Sequence, residues 1–215
     1  MTPVWVLIAS FLIGSVPFAY VVGRFRGVDI RSIGSGNVGV TNLVRASGVT
    51  WGVVAFIGDA GKGALPVWIA ARADSQAWLP LAAASAAVLG HCFTPFLRFR
   101  GGKGVATAAG ALGMLQPIVL LILVTAWGLT LAAVRRVGVA SSAAAVVALV
   151  VSVGLAVRRP EELGVAILLG ILALLVLIRH RSNLREFFGG GGATRGAETL
   201  PGSASLGEGA GEGDS

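Results

Sequence analysis

The sequence has few charged residues. Asp, Glu, Lys and Arg make up 13% of its 215 residues, whereas hydrophobic residues make up 55%, and the mean hydropathy is +0.83. Soluble domains are about 25% charged, so this scarcity excludes an ordinary soluble domain. Apolar runs of about 20 residues recur along the chain, and they are continuous rather than alternating, which argues against a transmembrane β-barrel. We predict an all-α, polytopic membrane protein.

Cysteine and lysine are almost absent. Cys92 is the only cysteine, so an internal disulfide is excluded. The chain has fifteen arginines but only two lysines, Lys62 and Lys103, and each lysine is followed by glycine. Because general cationic anchoring here relies on arginine, we expect the compact ammonium group of lysine to matter at these two positions.

The net charge is +7 and is unevenly distributed. Residues 189–215 contain four acidic residues against Arg195, so the rest of the chain is more basic than the total indicates. Basic proteins often bind nucleic acid, but arginines at the ends of apolar runs are typical of contact with anionic lipid. We therefore expect no nucleic acid partner, and we predict contacts with the lipid bilayer and with anionic substrates.

The apolar runs predict how the chain crosses the bilayer. The predicted spans cover residues 3–22, 51–71, 78–97, 105–134, 139–157 and 163–178. As one helix the fourth run would be about 45 Å long, too long for a hydrocarbon core of about 30 Å. Gln116-Pro117 interrupts this run, and proline disfavours helix in the residue before it. We predict a short entering segment, a turn near Gln116 and a returning span.

The positions of the arginines favour seven crossings over six. With seven, one side carries Lys103 and most of the arginines, at positions 24, 26, 31, 98, 100, 135, 136, 179, 181 and 185. The positive-inside rule then places the N-terminus outside and the C-terminus inside. Because Arg24 and Arg26 follow the first run and no positive segment precedes it, that run is predicted to be a retained helix rather than a signal peptide.

Two units are predicted: a membrane domain over residues 1–188 and a cytoplasmic tail over 189–215. The tail is rich in Gly, Ser and Glu and has no apolar face, which is typical of disorder.

A glycine-rich loop between the first two spans is the first candidate anion site. Its glycines allow backbone N–H groups to approach a phosphate closely, and Arg45 can bind an anion through two N–H groups. The candidate binding residues before Arg45 are Gly34, Ser35, Gly36, Asn37, Gly39, Thr41 and Asn42. The glycine spacing formally matches a dinucleotide-binding fingerprint, but no strand precedes it. An ordinary polar loop is the alternative.

Lys103 lies in a second glycine-rich segment, where the fourth run begins. A lysine flanked by glycines at the start of a helix makes a good anion site. The candidate residues are Gly101, Gly102, Lys103, Gly104 and Thr107. The segment is not a Walker A phosphate loop, because that motif requires glycine at position 97, which is Leu. The alternative is a basic membrane anchor.

Three ionisable residues lie within predicted spans. Asp59 and Lys62 are three residues apart, on one helical face, and His91 lies near the end of the third span. Ionisable residues inside a membrane are costly and are usually functional or paired. A pair that neutralises itself and braces the polar loops is the structural alternative.

Further candidates lie at the inner ends of the last two spans, after the end of the last span and at the start of the span before it. His180 and Asn183 share a face, and histidine can act as a general base, a phosphate donor or a positioning group. The alternative is that this histidine is an ordinary surface residue at the membrane interface without a role in the site. Ser141 and Ser142 open a span, where hydroxyls at a helix N-terminus can hold phosphate or serve only as caps.

Together these segments resemble the acyl-phosphate-dependent glycerol-3-phosphate acyltransferase family (the PlsY family). The resemblance covers residues 3–188 and rests on four segments in the family's order: Gly34–Asn42 with Arg45, Gly90–Phe93, Gly101–Thr107 and His180–Asn183. It implies a seven-helix protein of the bacterial inner membrane whose motifs face the cytoplasm. The His-x4-Asp signature of acyl-CoA-type acyltransferases is absent, because positions 96 and 185 are Phe and Arg.

The resemblance implies transfer of an acyl group from acyl phosphate to the 1-hydroxyl of glycerol 3-phosphate, giving lysophosphatidic acid and phosphate, without metal or other cofactor. The implied catalytic set, which would hold glycerol 3-phosphate, is Ser35, Arg45, Lys103, His180 and Asn183. The glycine loop and Ser141 or Ser142 would hold the acyl phosphate head, and Asp59, Lys62 and His91 would support the site. The base would be His180 or the acyl phosphate itself. The enzyme that produces acyl phosphate is a candidate partner.

Thr94 and Gly138 depart from the family's pattern, which has proline at the first position and a serine-rich start of the sixth span. Two other functions compete with the acyltransferase hypothesis. A transporter of phosphate-bearing anions or lipids would also use phosphate-binding loops, but it needs access from both sides, whereas these motifs cluster on one side. A scaffold would not need such loops.

Overall fold

The computed structural model describes residues 2–73 and 76–189, and within them the chain is helical and forms no strand. The α-helices are α1 (Pro3–Ser15), α2 (Phe18–Phe25), α3 (Val40–Ser47), α4 (Val49–Ala73), α5 (Trp78–Cys92), α6 (Val105–Leu115), α7 (Pro117–Val134), α8 (Val137–Arg158), α9 (Leu163–Arg179) and α10 (Arg181–Phe188). This confirms the predicted all-α architecture. Of the predicted tail, everything beyond Gly189 lies outside the described residues.

Six segments of the described chain are long and apolar enough to cross a bilayer, and α6 is a shorter apolar helix. The six are Pro3–Phe25, Val49–Ala73, Trp78–Leu97, Pro117–Val134, Val137–Arg158 and Pro160–Arg179. Their lipid-facing sides remain apolar and exposed, as along α7, where Val119 alone is buried. The protein therefore spans the membrane several times.

The predicted turn at Gln116-Pro117 is confirmed. α6 ends at Leu115 and α7 begins at Pro117, in the first helical position, where the missing N–H of proline costs nothing. The side-chain amide of Gln116 donates to Glu162 Oε2 at 3.2 Å, which links this turn to the connection between α8 and α9. The hairpin brings the start of α8 back to the end of the bundle where α6 begins.

The first crossing is broken, although we predicted one continuous span over residues 3–22. α1 ends at Ser15 and α2 begins at Phe18, because Pro17 lacks an N–H and disfavours helix at Val16. The break leaves two backbone carbonyls inside the protein without helical hydrogen-bond partners. Thr94 Oγ1 donates to the oxygen of Ser15 at 2.7 Å, and Lys62 Nζ donates to the oxygen of Val16 at 2.5 Å.

Two short helices were not predicted from the sequence. The polar segment between the first two spans contains α3, whose N-cap is Gly39. After a bend at His180, the chain continues as α10, which has no buried residue. Both are short and polar, so neither produces an apolar run.

The bundle packs through small residues. A side-chain atom at Gly63 of α4 would collide with the backbone of Thr107 in α6, and one at Gly110 of α6 would collide with the backbone of Ala60. Small residues at helix interfaces allow this close approach in membranes. A buried apolar core joins α4, α5, α6 and α9 through Val67, Ala84, Val88, Ala108, Ala111, Leu168 and Leu172.

Substituting Gly63 tests this packing. We expect Gly63→Ala to destabilise the protein by about 1–3 kcal/mol, because the added methyl group has no room between two backbones. Gly61 is the matched control, since it lies on the same helix with open space around it, and Gly61→Ala should be neutral or slightly stabilising. Thermal unfolding in detergent measures both. A Gly63→Ala variant that unfolds at the wild-type temperature would contradict this packing.

Candidate active site

The glycine-lysine loop (Gly101–Gly104) lies between α5 and α6 and is held by its backbone. Gly101 N–H donates to the carbonyl of Cys92 at 3.1 Å, and Gly102 N–H donates to that of His91 at 3.2 Å. On its other side, Arg179 Nη2 donates to the carbonyl oxygens of Gly101 at 2.7 Å and Gly102 at 2.6 Å. The loop is therefore attached both to the end of α5 and to the end of α9.

The bend between α9 and α10 faces this loop. Lys103 Nζ donates to Asn183 Oδ1, so two candidates that are 80 residues apart in the chain are in contact. His180, at the bend, is 3% exposed, and its Nδ1 lies 2.9 Å from the carbonyl oxygen of Val176. A carbonyl oxygen can only accept, so Nδ1 carries the hydrogen and Nε2 of the neutral ring presents a lone pair.

Helix α3, which follows the first glycine-rich loop, contributes Arg45 to the same region. A side-chain atom at Gly34 would lie 3.9 Å from Arg45 Nη1, which places the guanidinium beside the loop's first glycine. The positive charge of Arg45 also acts on Lys103. Ser35 is exposed, and its Oγ accepts from Asn37 N–H at 3.4 Å.

Asn42 has a structural task within that loop. Its side-chain amide donates to the carbonyls of Ile30 at 2.6 Å and Ile33 at 3.0 Å, so it fixes the course of the chain before α3. Gly34 and Gly36 have positive φ values of 53° and 66°, a region that favours glycine. Gly39 and Thr41 lie at the start of α3.

Positive charge dominates the electrostatics of the site. Burial lowers the pKa of Lys103, and the nearby charges of Arg179 and Arg45 lower it further. Burial, together with the charge of Lys103, lowers the pKa of His180 to about 4. His180 is therefore neutral at pH 7, and the cluster of cations is suited to an anion.

The ionisable residues within the spans lie behind the loop. Asp59 pairs with Lys62 at 2.7 Å, and His91 Nδ1 lies 3.7 Å from Asp59 Oδ1. All three are buried. Because Lys62 also satisfies the carbonyl of Val16, the bracing interpretation of the Asp59–Lys62 pair has direct support.

The remaining candidates are buried close to the helix starts. Thr107 is fully buried in the first turn of α6, and its hydroxyl oxygen has no hydrogen-bond partner among the described residues. Ser141 Oγ accepts from Trp127 Nε1 at 3.3 Å, and Ser142 donates to the carbonyl of Gly138 at 2.9 Å. The two serines thus bond within α7 and α8.

Comparison with known proteins agrees with this arrangement. Residues 4–190 match the family model described as glycerol-3-phosphate acyltransferase. A glycerol-3-phosphate acyltransferase of Pseudomonas fluorescens is 44% identical over 193 residues, covering 86% of this chain and 96% of the relative. One of Rubrobacter xylanophilus is 40% identical over 190 residues, covering 88% and 94%. This chain belongs to the glycerol-3-phosphate acyltransferase family.

Solved structures of the family share the fold. The crystal structure of PlsY (YgiH), an integral membrane glycerol 3-phosphate acyltransferase, in its glycerol 3-phosphate form is 34% identical with a TM-score of 0.81, and covers 88% of this chain and 94% of that one. The lysophosphatidic acid form of the same protein has a TM-score of 0.79. The family resemblance inferred from the motifs is confirmed.

One residue at this acyltransferase's site was missed by sequence reasoning. Arg179 was interpreted only as one of the arginines that orient the protein in the membrane, whereas it bonds the backbone of the glycine-lysine loop. Its position directly before the motif segment His180–Asn183 was the available signal. Thr94, noted only as a departure from the family pattern, satisfies the carbonyl freed at the break in the first crossing.

Gly138, the second departure, leaves room for Asn183. A side-chain atom at Gly138 would lie 2.6–2.9 Å from the Asn183 side chain, so we expect Gly138→Ala to displace Asn183 from Lys103. A charge-assisted hydrogen bond contributes roughly 1.5–3 kcal/mol, so acyltransferase activity should fall by about 10-fold or more. Gly154→Ala, on the same helix in open space, is the control. Equal activity of the two variants would contradict this role for Gly138.

Proposed function

We propose that this protein transfers a fatty acyl group from acyl phosphate to the 1-hydroxyl of glycerol 3-phosphate, giving lysophosphatidic acid and inorganic phosphate. The observation that carries the proposal is the contact between Lys103 and Asn183, beside Arg45 and His180, in a chain of this family. Three segments that are distant in sequence supply these groups: α3, the glycine-lysine loop, and the bend with the start of α10.

Glycerol 3-phosphate is the proposed ligand of the cationic cluster. Arg45 and Lys103 bind the phosphate group, and Asn183 and Ser35 bind its hydroxyl groups. This assignment is supported by the electrostatic repulsion between Lys103 and the cations around it, first Arg179 and then Arg45. An anion between them removes that repulsion, so phosphate binding is favoured.

The acyl phosphate donor is proposed from the chemistry that the site offers. Phosphate is a good leaving group, so the reaction needs positioning and charge stabilisation rather than a covalent intermediate on the protein. The glycines at positions 34, 36 and 39 and Thr41 form the proposed cradle for the donor's phosphate head. Ser141 and Ser142 stay candidates for it, although their hydroxyl groups bond within the protein in this state.

The proposed reaction is a single displacement at the acyl carbon. The 1-hydroxyl oxygen attacks the carbonyl carbon, the new ester bond forms and the bond from the acyl carbon to the phosphate oxygen breaks. The hydroxyl proton leaves with inorganic phosphate. His180 Nε2 accepts a hydrogen bond from the attacking hydroxyl and orients it. With a pKa of about 4, His180 is a weak base at neutral pH, so the donor's phosphate oxygen is the proposed base.

We place the site at the cytoplasmic face of the bacterial plasma membrane. The support is the charge distribution: most arginines lie at the end of the bundle that carries the glycine-lysine loop, as the positive-inside rule requires of a cytoplasmic face. Both substrates are anionic, and this face is electropositive. The enzyme that supplies acyl phosphate is then a candidate partner on the same side.

An assay of the purified protein in lipid tests the proposal. Labelled glycerol 3-phosphate is supplied with palmitoyl phosphate in one tube and palmitoyl-CoA in another, and lysophosphatidic acid and phosphate are measured. We expect product from palmitoyl phosphate alone. Product only from palmitoyl-CoA would reject the donor and keep the acyltransferase. No product from either, in folded protein, would favour a transporter of phosphate-bearing anions.

A further inference from the structure

The backbone of Gly101 and Gly102 is bonded on both sides. Their N–H groups donate to the carbonyls of Cys92 and His91, and both of their carbonyls accept from one nitrogen of Arg179, Nη2. Their N–H groups are thus occupied by protein acceptors. In this arrangement the two glycines fix the loop, and Lys103 follows them directly.

Arg179 is the last residue of α9, and Asn183 lies in the first turn of α10, directly after the bend. The bend region thus contacts the glycine-lysine loop twice, through Arg179 at the loop's backbone and through Asn183 at the Lys103 side chain. The guanidinium also lies over the ring of Phe93, at 5.6 Å from its centroid. Packing on an aromatic ring and two carbonyl bonds together restrict its orientation.

We propose that Arg179 is a positioning residue that holds Gly101 and Gly102 so that Lys103 points at the substrate phosphate. The expected effect on catalysis rests on the proposed function. The hydrogen bonds from Arg179 to the two glycine carbonyls do not depend on it. Nη2 donates to both loop carbonyls, so Arg179 supports Lys103 through the backbone of the two residues that precede it. Without it, the carbonyls lose their donors and the loop gains freedom.

Amide hydrogen exchange and steady-state kinetics together test the proposal. The variants are Arg179→Met, which removes every donor, and Arg181→Met, a control two residues away whose side chain is exposed. In Arg179→Met we expect exchange at Gly101 and Gly102 to accelerate at least about 10-fold, because the loop opens more often. Activity should fall about 30-fold, as expected for lost charge-assisted hydrogen bonds. Arg179→Lys, which retains an ammonium donor, should restore part of both.

Each outcome bears on one proposal. Activity lost in Arg179→Met with unchanged exchange at the two glycines would overturn the positioning role and make Arg179 a substrate ligand. Unchanged activity with unchanged exchange would also overturn it. If the wild-type protein made no product from either donor, the proposed reaction would fail, and faster exchange in Arg179→Met alone would still support the hold on the loop.

Discussion

Replacing Lys103 with alanine should reduce turnover by about 10²–10³-fold, comparable to the loss of one preorganised donor from an oxyanion hole. Lys103 is half-buried, and its side chain donates to Asn183 Oδ1. In the proposed reaction, its ammonium group offsets the charge that develops on the phosphate oxygens and the carbonyl oxygen. Steady-state kinetics with acyl phosphate and glycerol 3-phosphate in reconstituted protein provides the measurement.

The control for Lys103 is Arg100→Ala, an exposed cation three residues earlier in the same segment. It should retain activity, because an exposed charge near a site contributes little once screened by salt. Lys103→Arg is not expected to restore turnover, since a planar guanidinium cannot occupy the space of a compact ammonium beside Asn183. Full activity of folded Lys103→Ala would refute the site assignment.

Replacing Arg45 with alanine should have the second largest effect, a loss of at least about 100-fold in kcat/KM for glycerol 3-phosphate. The guanidinium lies beside Gly34, and its positive charge acts on Lys103, as expected if both cations bind one phosphate in the proposed function. Bidentate binding of phosphate by arginine is worth several kcal/mol when partly desolvated. The KM for glycerol 3-phosphate and the inhibition constant of inorganic phosphate should both rise.

A matched control for Arg45 lies in the same polar segment between the first two spans. Arg31 is exposed and paired with Asp29 at 2.6 Å, and this interaction lowers the pKa of Asp29 to about 2. Such exposed pairs contribute little to stability, so Arg31→Ala should leave KM nearly unchanged. If Arg31→Ala and Arg45→Ala raised KM equally, the segment would attract glycerol 3-phosphate only through its overall positive charge. Arg45 would then not bind the phosphate directly.

Much of the fold could be predicted from apolar runs and charge. The turn at Gln116 was predictable because the fourth apolar run is too long for one crossing and Pro117 disfavours helix at the residue before it. The break at Pro17 was not predicted, because the run on either side is uniformly apolar and the partners that stabilise the break, Lys62 and Thr94, come from other helices. Local sequence does not reveal such long-range compensation.

The candidate site was predictable in its residues but not in its bonding. Motif spacing identified Lys103 and Asn183 as candidates, yet their contact depends on how the bend between α9 and α10 packs against the loop. Asn42 was predicted to bind phosphate from its residue type, and that role stays a prediction; in the structure its side-chain amide donates to the backbone carbonyls of Ile30 and Ile33. Amide side chains serve both purposes equally well, so only the three-dimensional arrangement separates them. The substrate roles of the glycines stay predictions.

Equilibrium binding of labelled glycerol 3-phosphate, without any acyl donor, tests the central claim most directly. The site described here is assembled before the donor arrives, so purified wild-type protein should bind glycerol 3-phosphate saturably, and inorganic phosphate should compete. A folded variant carrying both Arg45→Ala and Lys103→Ala should not bind. Binding by that double variant with wild-type affinity would contradict the account, because the phosphate would then lie elsewhere in the molecule.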